Sequence, residues 1–148
     1  MSFIINDFLF YWAHRTLHHP LFYAKFHKQH HQFRATIGIA AEYAGPLESV
    51  LANGIPTIAG PILFGSHPFT FWLYLFLRIW ETVESHSGYD FPWSIWSLFD
   101  WQGGPEAHDF HHSHNVGNYG GVCFSFWDTL MGTDKSYREY LADKKKKL

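Results

Sequence analysis

The spacing of apolar positions predicts an all-α chain that begins with two histidine-bearing helices. Residues 3 to 19 keep an unbroken helical pattern of apolar positions that ends in a histidine-rich stretch. Pro20 then ends this helix, because the proline ring cannot continue the backbone hydrogen-bond ladder. A second helix is expected over Leu21 to Gln32. The small, apolar stretch from Ala35 to Tyr43 is either a linker or a short helix.

Two apolar segments in the middle of the chain predict a helical hairpin. Residues 46 to 64 carry a single charge, Glu48. Residues 68 to 80 are strongly apolar and aromatic until Arg78. A straight helix needs about 20 apolar residues to cross a bilayer, so the first segment barely qualifies and the second falls short. We expect a hairpin, joined at Gly65-Ser66-His67, that enters the membrane and returns. A hairpin buried in a soluble core is the alternative.

The last third of the chain is rich in loops. Glycines and prolines interrupt the pattern after Glu84. A short helix is expected around Glu106 to His114, then a glycine-containing loop from Gly117 to Gly121, then an aromatic segment that ends in Trp127-Asp128. The 148 residues leave room for one domain, 1–148, and not comfortably for two.

The composition indicates contact with a membrane and argues against binding to nucleic acid. The formal net charge of -2 provides no basic field of the kind that binds nucleic acid. The single cysteine, Cys123, excludes an intramolecular disulfide framework and a thiolate metal cluster, which favours a reducing, cytosol-facing environment. Aromatic residues make up 20% of the chain although its mean hydropathy is -0.18. Trp and Tyr favour the membrane interface, so this pairing indicates a protein that lies partly in lipid.

Twelve histidines change the picture most, because eight of them fall in three short motifs. One motif is H-x3-H, and two are H-x2-H-H. Residues three and four apart share one face of a helix, so each motif is expected to turn its imidazoles towards a common point. The eight candidate metal ligands are His14, His18, His27, His30, His31, His108, His111 and His112.

Eight imidazoles are too many for one metal ion. Four ligands satisfy a structural zinc ion, and three plus water satisfy a catalytic one. The eight therefore divide between two ions with coordination positions left open. Imidazole ligands suit iron, zinc or copper rather than magnesium or calcium. Open positions on a redox-active metal in a lipid-facing protein indicate oxygen activation, for which two iron ions share the electron demand. The alternatives are a pH switch, a surface zinc site and chance enrichment in histidine.

The remaining histidines lie outside this spacing. His67 belongs to the turn of the hairpin, and His19 and His114 each neighbour a motif without completing it. His86 is isolated just beyond an aromatic helix, and spacing alone makes it a bystander.

The order of the motifs, H-x3-H-H and then H-x2-H-H twice, resembles the fatty acid hydroxylase and sterol desaturase superfamily of membrane di-iron oxygenases. Intervening segments narrow the resemblance to the C4-methylsterol oxidases, from about residue 3 to residue 140. The stretch from Glu81 to Asp90 is the most specific, because other branches differ there. The other matching segments are Asp7-x3-Tyr11-Trp12-x-His14-Arg15, Ala41 to Ala44, Pro46-Leu47-Glu48, His108 to His112, Gly117-Asn118-Tyr119, Phe126-Trp127-Asp128 and Gly132-Thr133-Asp134.

The resemblance implies a ninth ligand and a reaction. In this superfamily a histidine after the last membrane helix joins the metal cluster, and His86 stands in that position; Thr82 stands where some relatives place another. Such enzymes use two iron ions and dioxygen to oxidise the 4α-methyl group of a sterol precursor stepwise from alcohol to carboxylic acid. NAD(P)H electrons arrive through cytochrome b5 and its reductase. The chain has no G-x-G-x-x-G dinucleotide motif, which agrees with delivery by a partner.

The resemblance also implies a fold and a location. The expected fold is an all-α, membrane-associated helical bundle, in which the hairpin enters the bilayer and a histidine-rich di-metal cap faces the cytosol. The expected compartment is the endoplasmic reticulum membrane. Lys145 and Lys146 resemble a dilysine retrieval signal, with a solvated basic tail as the alternative.

The chain departs from the family pattern in two places. Gly45 stands where many C4-methylsterol oxidases have a histidine. Family members also carry further apolar helices upstream, and Met1 falls inside what would be the helix leading to the first histidine motif. Two alternative functions stay open. One is another activity of the superfamily, such as a sterol C5 desaturase or a lipid hydroxylase. The other is an inactive membrane protein that keeps structural zinc.

Overall fold

The regular secondary structure is helical throughout residues 1–98, 104–120 and 125–147, the residues that the computed structural model describes. This confirms the predicted all-α class. Helix α1 spans Ser2–Leu17. It ends before His19, which takes an extended conformation because it precedes the proline that begins the next helix. The His19 ring accepts a hydrogen bond from the Leu21 N–H at the start of that helix.

The second predicted helix is broken into three pieces. Helix α2, Pro20–Phe22, continues as a π-helical turn over Tyr23–His27. A separate 3-10 turn covers His30–Gln32, and its His31 has non-helical dihedral angles. The prediction of one helix over Leu21 to Gln32 is therefore wrong. The stretch described as a linker or a short helix contains a 3-10 turn, Gly38–Glu42.

The predicted hairpin is present, and its first arm is irregular. That arm consists of helix α3, Pro46–Glu48, a π-helical turn, Ser49–Gly54, and helix α4, Ile55–Leu63. The second arm is helix α5, Pro68–Ser85. Helix α4 packs mainly against α1, where Gly60 permits close approach because a Cβ there would lie 2.7 Å from the Ser2 Cα.

The second arm of the hairpin leads to the last three helices. Helix α5 packs against the Gly38–Glu42 turn and against helix α6, Gly104–His114. Helix α7, Phe126–Met131, contains the predicted Trp127-Asp128 end of the aromatic segment. Helix α8, Lys135–Lys146, was not predicted, and none of its residues is buried. A 3-10 turn also covers Ile95–Leu98. Gly121 and Cys123 lie outside the described residues.

The interior is unusually polar and the hairpin surface unusually apolar. Among the described residues, few apolar side chains are buried, including Tyr11 and Phe110, beside a large group of buried histidines. Large apolar side chains of the hairpin are exposed instead, including Ile62 at 71%, Phe69 at 72% and Trp72 at 65%. Among the described residues, we find no helix with the length and apolar character that crossing a bilayer requires.

Candidate metal centre

All nine histidines proposed as ligands lie together in two adjoining groups. Within each group, one ring nitrogen of every histidine lies within 4.8 Å of those of the others. Eight of the nine are buried, and His18 is half-buried. Cluster A consists of His14, His18, His27, His31 and His111. Cluster B consists of His30, His86, His108 and His112. The groups are neighbours, because the ring centroids of His31 and His112 are 4.5 Å apart.

The H-x2-H-H motifs do not point their three rings at one place, which corrects the expectation from their spacing. In the first motif, His27 and His31 belong to cluster A and His30 belongs to cluster B. In the second, the pair four residues apart belongs to cluster B and His111 belongs to cluster A. Adjacent residues of a helix point about 100° apart, so the last two histidines of a motif diverge. Each motif therefore supplies both clusters.

The distances between Nε2 atoms fit a bound metal ion in each cluster. In cluster A, the Nε2 of His27 lies 2.9 Å from that of His18 and 3.0 Å from that of His14. In cluster B, the Nε2 of His86 lies 2.9 Å from that of His108 and 3.4 Å from that of His30. Imidazole nitrogens at 2.0–2.1 Å from one ion stand about 3.0 Å apart at right angles and about 3.4 Å apart in a tetrahedron.

Hydrogen bonds at Nδ1 fix the orientation of several rings. The His14 Nδ1 donates to the Tyr119 carbonyl at 3.0 Å, and the His111 Nδ1 to the Gly117 carbonyl at 2.6 Å. In cluster B, the His86 Nδ1 donates to the Thr82 carbonyl at 2.7 Å. A carbonyl oxygen only accepts, so Nδ1 carries the hydrogen. The lone pair of a neutral ring is then at Nε2, which faces the centre of its cluster.

A buried carboxyl group performs the same function for one ring of cluster A. The His27 Nδ1 lies 2.7 Å from Oε1 of Glu48, and both side chains are buried. Glu48 is on α3, one residue before the π-helical turn of the hairpin. Burial raises the pKa of Glu48 to about 8. The sequence marked Glu48 as the one charge in an apolar segment, but it gave no reason to place it beside His27.

Burial keeps the cluster rings unprotonated. It lowers the pKa of His30 to about 4. Burial and, to a smaller extent, neighbouring imidazoles together lower the pKa values of His31 and His86 to about 3. The pKa of His14 and that of His111 are also well below the ordinary value for the same two reasons. Metal binding needs the neutral ring, so these groups are ready to coordinate at neutral pH. Converging lone pairs repel one another, and a cation between them removes that repulsion.

A loop over residues 117–120 carries the carbonyl groups that hold two rings of cluster A. The buried Asp128 carboxylate secures this loop by accepting the N–H of Tyr119 at 2.8 Å and of Gly120 at 2.6 Å. It also accepts the Thr133 hydroxyl at 2.6 Å. Asp128 therefore acts on His14 through the backbone of Tyr119. The sequence singled out Asp128 as part of a family segment without assigning it this position.

The other histidines have different surroundings. His19 and His67 are exposed, and each accepts a backbone N–H at the start of the helix that follows it. His114 is exposed at the end of α6, with its ring stacked on Phe110 at 4.3 Å. Gly45 immediately precedes α3, and a Cβ there would meet nothing closer than 3.8 Å.

The described residues form helices that gather nine imidazoles into two adjoining groups, which is the donor set of a dinuclear metalloprotein. The chain belongs to the fatty acid hydroxylase family, whose model matches residues 1–133. This confirms the family indicated by the order of the histidine motifs.

Curated relatives agree with the family and share about half of their length with this chain. A putative methylsterol monooxygenase of Dictyostelium discoideum is 50% identical over 137 residues, which are 92% of this chain and 51% of the relative. A methylsterol monooxygenase of Arabidopsis thaliana is 46% identical, over 92% of this chain and 52% of the relative. A very-long-chain aldehyde decarbonylase of Oryza sativa is 46% identical, over 93% of this chain and 52% of the relative. No solved structure matches the chain.

Proposed function

We propose that this chain uses dioxygen to oxidise the 4-methyl group of a sterol precursor at a di-iron site formed by clusters A and B. The observation that carries the proposal is the convergence of Nε2 lone pairs on two neighbouring points, at separations that suit two metal ions. The relatives named methylsterol monooxygenase support the choice of substrate.

The donor set indicates which metal chemistry the centre supports. The five rings of cluster A and the four of cluster B would hold one ion each, with iron as the working metal and zinc as a possible substitute. When bound, the iron ions supply the electrons and the open coordination positions that dioxygen activation needs. In the first oxidation, one oxygen atom enters a methyl C–H bond and the other leaves as water, with two electrons and two protons consumed. Two further oxidations, each consuming one dioxygen, two electrons and two protons, convert the alcohol to the aldehyde and the aldehyde to the acid.

Because most of the cluster histidines are buried, the chain would exclude bulk water from a methyl group that reacts there. We propose that cytochrome b5 and its reductase deliver the NAD(P)H electrons, and that the centre faces the cytosol at the endoplasmic reticulum membrane. The exposed apolar hairpin supports a membrane location, because a flat, apolar substrate enters such a site from lipid.

The relatives also favour a second candidate function. The aldehyde decarbonylase of Oryza sativa is as similar to this chain as the methylsterol monooxygenase of Arabidopsis thaliana. A long-chain aldehyde is therefore the competing substrate. Supplying the iron-loaded chain with 4-methylsterols or with very-long-chain aldehydes separates the two functions by their products.

The deciding experiment is complementation of cells that lack sterol C4 demethylation. Wild type is compared with His108→Gln, which removes a ring of cluster B, and with His114→Gln, which makes the same change at an exposed position of the same helix. We expect wild type and His114→Gln to restore growth and His108→Gln to fail. Failure of an expressed, membrane-bound wild type would show that this chain is not such an enzyme. Equal rescue by His108→Gln would exclude the clusters as the catalytic centre.

Metal content distinguishes the enzyme from an inactive protein that keeps structural zinc. Zinc outcompetes ferrous iron at nitrogen ligands, so a purified sample that contains zinc does not identify the working metal. The chain should be loaded with ferrous iron without oxygen and then given dioxygen and a 4-methylsterol. Turnover by the iron form and none by the zinc form is the expected result.

A further inference from the structure

A cavity of about 290 Å³ lies between the two arms of the hairpin. Ser49, Asn53 and Thr57 line it from the first arm, and Arg78, Ile79 and Thr82 line it from α5. Such a volume holds one end of a ligand of moderate size rather than the whole molecule. Polar side chains are frequent in this lining, although the outer face of the hairpin is apolar.

One end of the cavity adjoins the metal centre. The Thr82 carbonyl accepts the hydrogen bond from the His86 Nδ1, so a lining residue is in direct contact with a ring of cluster B. Ser49 directly follows Glu48, whose carboxyl group bonds to His27 of cluster A. Ser49 and Thr82 therefore mark the end of the cavity nearest to both clusters.

The cavity also has a side on the apolar surface of the hairpin. Ile58 and Ile79 line it and are 42% and 47% exposed, among the apolar side chains of the hairpin. A ligand that partitions into lipid would reach the cavity through this side. Its leading end would then meet the polar residues next to the metal centre.

The cavity favours an uncharged ligand. Among the described residues of its lining, the cation Arg78 is buried and paired with Glu81 at 3.2 Å, so its charge is already neutralised. The acidic residue Glu42 also lines the cavity, but it is exposed, so water screens its charge. Arg78 also donates to the Asn6 side chain. Ser49 and Asn53 are neutral and are carried by the π-helical turn of the first arm. Such turns are rare in helices and are frequent at functional sites.

We propose that this cavity binds the hydroxyl-bearing end of a neutral, rigid, apolar ligand, with Asn53 and Ser49 hydrogen-bonding the hydroxyl group. The inference rests on the proposed function and specifies how its substrate is positioned. In a 4-methylsterol the hydroxyl group is on the carbon next to the methyl-bearing carbon. Holding that hydroxyl group at the metal-proximal end therefore presents the neighbouring methyl group to the centre.

The test measures binding of two ligands to the metal-free chain in detergent, so it is independent of turnover. The ligands are a 4,4-dimethylsterol with a free 3-hydroxyl group and the same sterol without that group. Wild type is compared with Asn53→Leu, which keeps the size of the side chain, and with Ser49→Ala. The control is Ser66→Ala in the hairpin turn, a residue outside the cavity lining.

We expect wild type and Ser66→Ala to bind the hydroxylated sterol about five- to tenfold more tightly than the sterol without the hydroxyl group. One or two buried hydrogen bonds produce a difference of this size. Asn53→Leu and Ser49→Ala should bind the two sterols more equally, with the affinity for the deoxy sterol unchanged. Thermal unfolding shows whether each variant is folded. If one variant is unfolded, the binding measurements on the other variant test the inference. Equal binding by wild type, or a full preference in a folded Asn53→Leu or Ser49→Ala variant, would overturn the inference.

The outcomes also separate this inference from the proposed function. If the chain prefers the hydroxylated sterol but does not oxidise it when loaded with iron, the cavity assignment is supported and the proposed reaction is contradicted. If the chain oxidises 4-methylsterols but binds both ligands equally, the reaction is supported and the cavity assignment is contradicted.

Discussion

At the scale of single residues, the metal centre depends on groups that touch the histidines from outside. His27 is held by a carboxyl group, and His14, His86 and His111 are held by backbone carbonyl groups. These acceptors decide which ring nitrogen carries the hydrogen and therefore which one faces the cluster. The effect of removing an acceptor should be largest at the cluster that it supports.

Replacing Glu48 with Gln tests this at cluster A. The amide keeps the size of the side chain but cannot ionise. The carboxylate, which a cation bound in cluster A favours, is the stronger acceptor for the His27 Nδ1–H, so the variant ring loses part of its orientation and basicity. We expect the metal affinity of cluster A to fall by about 10- to 100-fold and that of cluster B to fall much less. Competition with a chelator, followed by metal analysis, measures both sites. Glu42→Gln, at an exposed position, is the control. Equal weakening of both clusters would contradict the assignment.

The sequence could predict the nine cluster histidines but not their supports. Eight were found by spacing alone and His86 only through the family resemblance. Glu48 is 21 residues from His27 and Asp128 is nine residues from Tyr119, so no local pattern links them. Their positions follow from the folded path of the chain. The distribution of the rings between two clusters follows from helix geometry instead, because adjacent residues of a helix point about 100° apart.

At the scale of elements, the helices that carry a regular apolar or histidine spacing were easier to predict than the rest of the chain. The hairpin, α1 and α6 follow regular apolar or histidine spacing. The two π-helical turns and the 3-10 turn at His30–Gln32 have no comparable signal. The loop over residues 117–120 shows what such a segment demands of its residues. Gly117 has φ of +59° there, and a Cβ would collide with the Thr133 carbonyl.

Gly117→Ala and Gly65→Ala make the same change at similar dihedral angles in different surroundings. Gly65 has φ of +55°, and a Cβ there meets nothing within 4 Å. Gly65→Ala should therefore lower the free energy of unfolding by about 1 kcal/mol through backbone strain alone. Gly117→Ala adds overpacking and should lower it by about 2 kcal/mol more. Urea unfolding of the metal-free protein gives both values. Equal effects would show that the collision is relieved by movement of the loop.

At the scale of the whole molecule, the apolar hairpin affects membrane binding and the buried imidazoles affect stability. The hairpin exposes large apolar side chains and favours contact with lipid. The imidazole interior makes the stability of the metal-free protein sensitive to acid. Each property has its own test.

Lipid binding should depend on the exposed face of the hairpin. Replacing Ile62, Phe69 and Trp72 together with Ser removes three side chains that are 65–72% exposed. We expect wild type to float with neutral phosphatidylcholine vesicles in a density gradient and the triple variant to remain at the bottom. Leu130→Ser, which changes an exposed apolar residue of α7, is the control and should still float. Flotation of the triple variant would assign lipid binding to another surface.

The metal-free protein should lose stability as the pH falls below about 6.5. An unfolded histidine has a pKa near 6.5. The folded pKa is about 4 for His30 and about 3 for His31 and His86. Between these values the unfolded chain binds protons that the folded chain excludes. Each such group therefore lowers the free energy of unfolding by up to about 1.4 kcal/mol for each pH unit of acidification. Urea midpoints at pH 7.5, 6.5 and 5.5, with chelator present, should fall most in the last interval. Constant midpoints would exclude neutral, buried rings.

The crossed membership of the H-x2-H-H motifs has a consequence for how the centre assembles. The backbone from His27 to His31 and helix α6 each carry ligands of both clusters. An ion bound in one cluster therefore orders backbone that the other cluster also needs, and the second ion binds at a lower entropic cost. Loading should be cooperative. Native mass spectrometry during a metal titration should show mainly empty and doubly loaded protein, with the half-loaded form scarce.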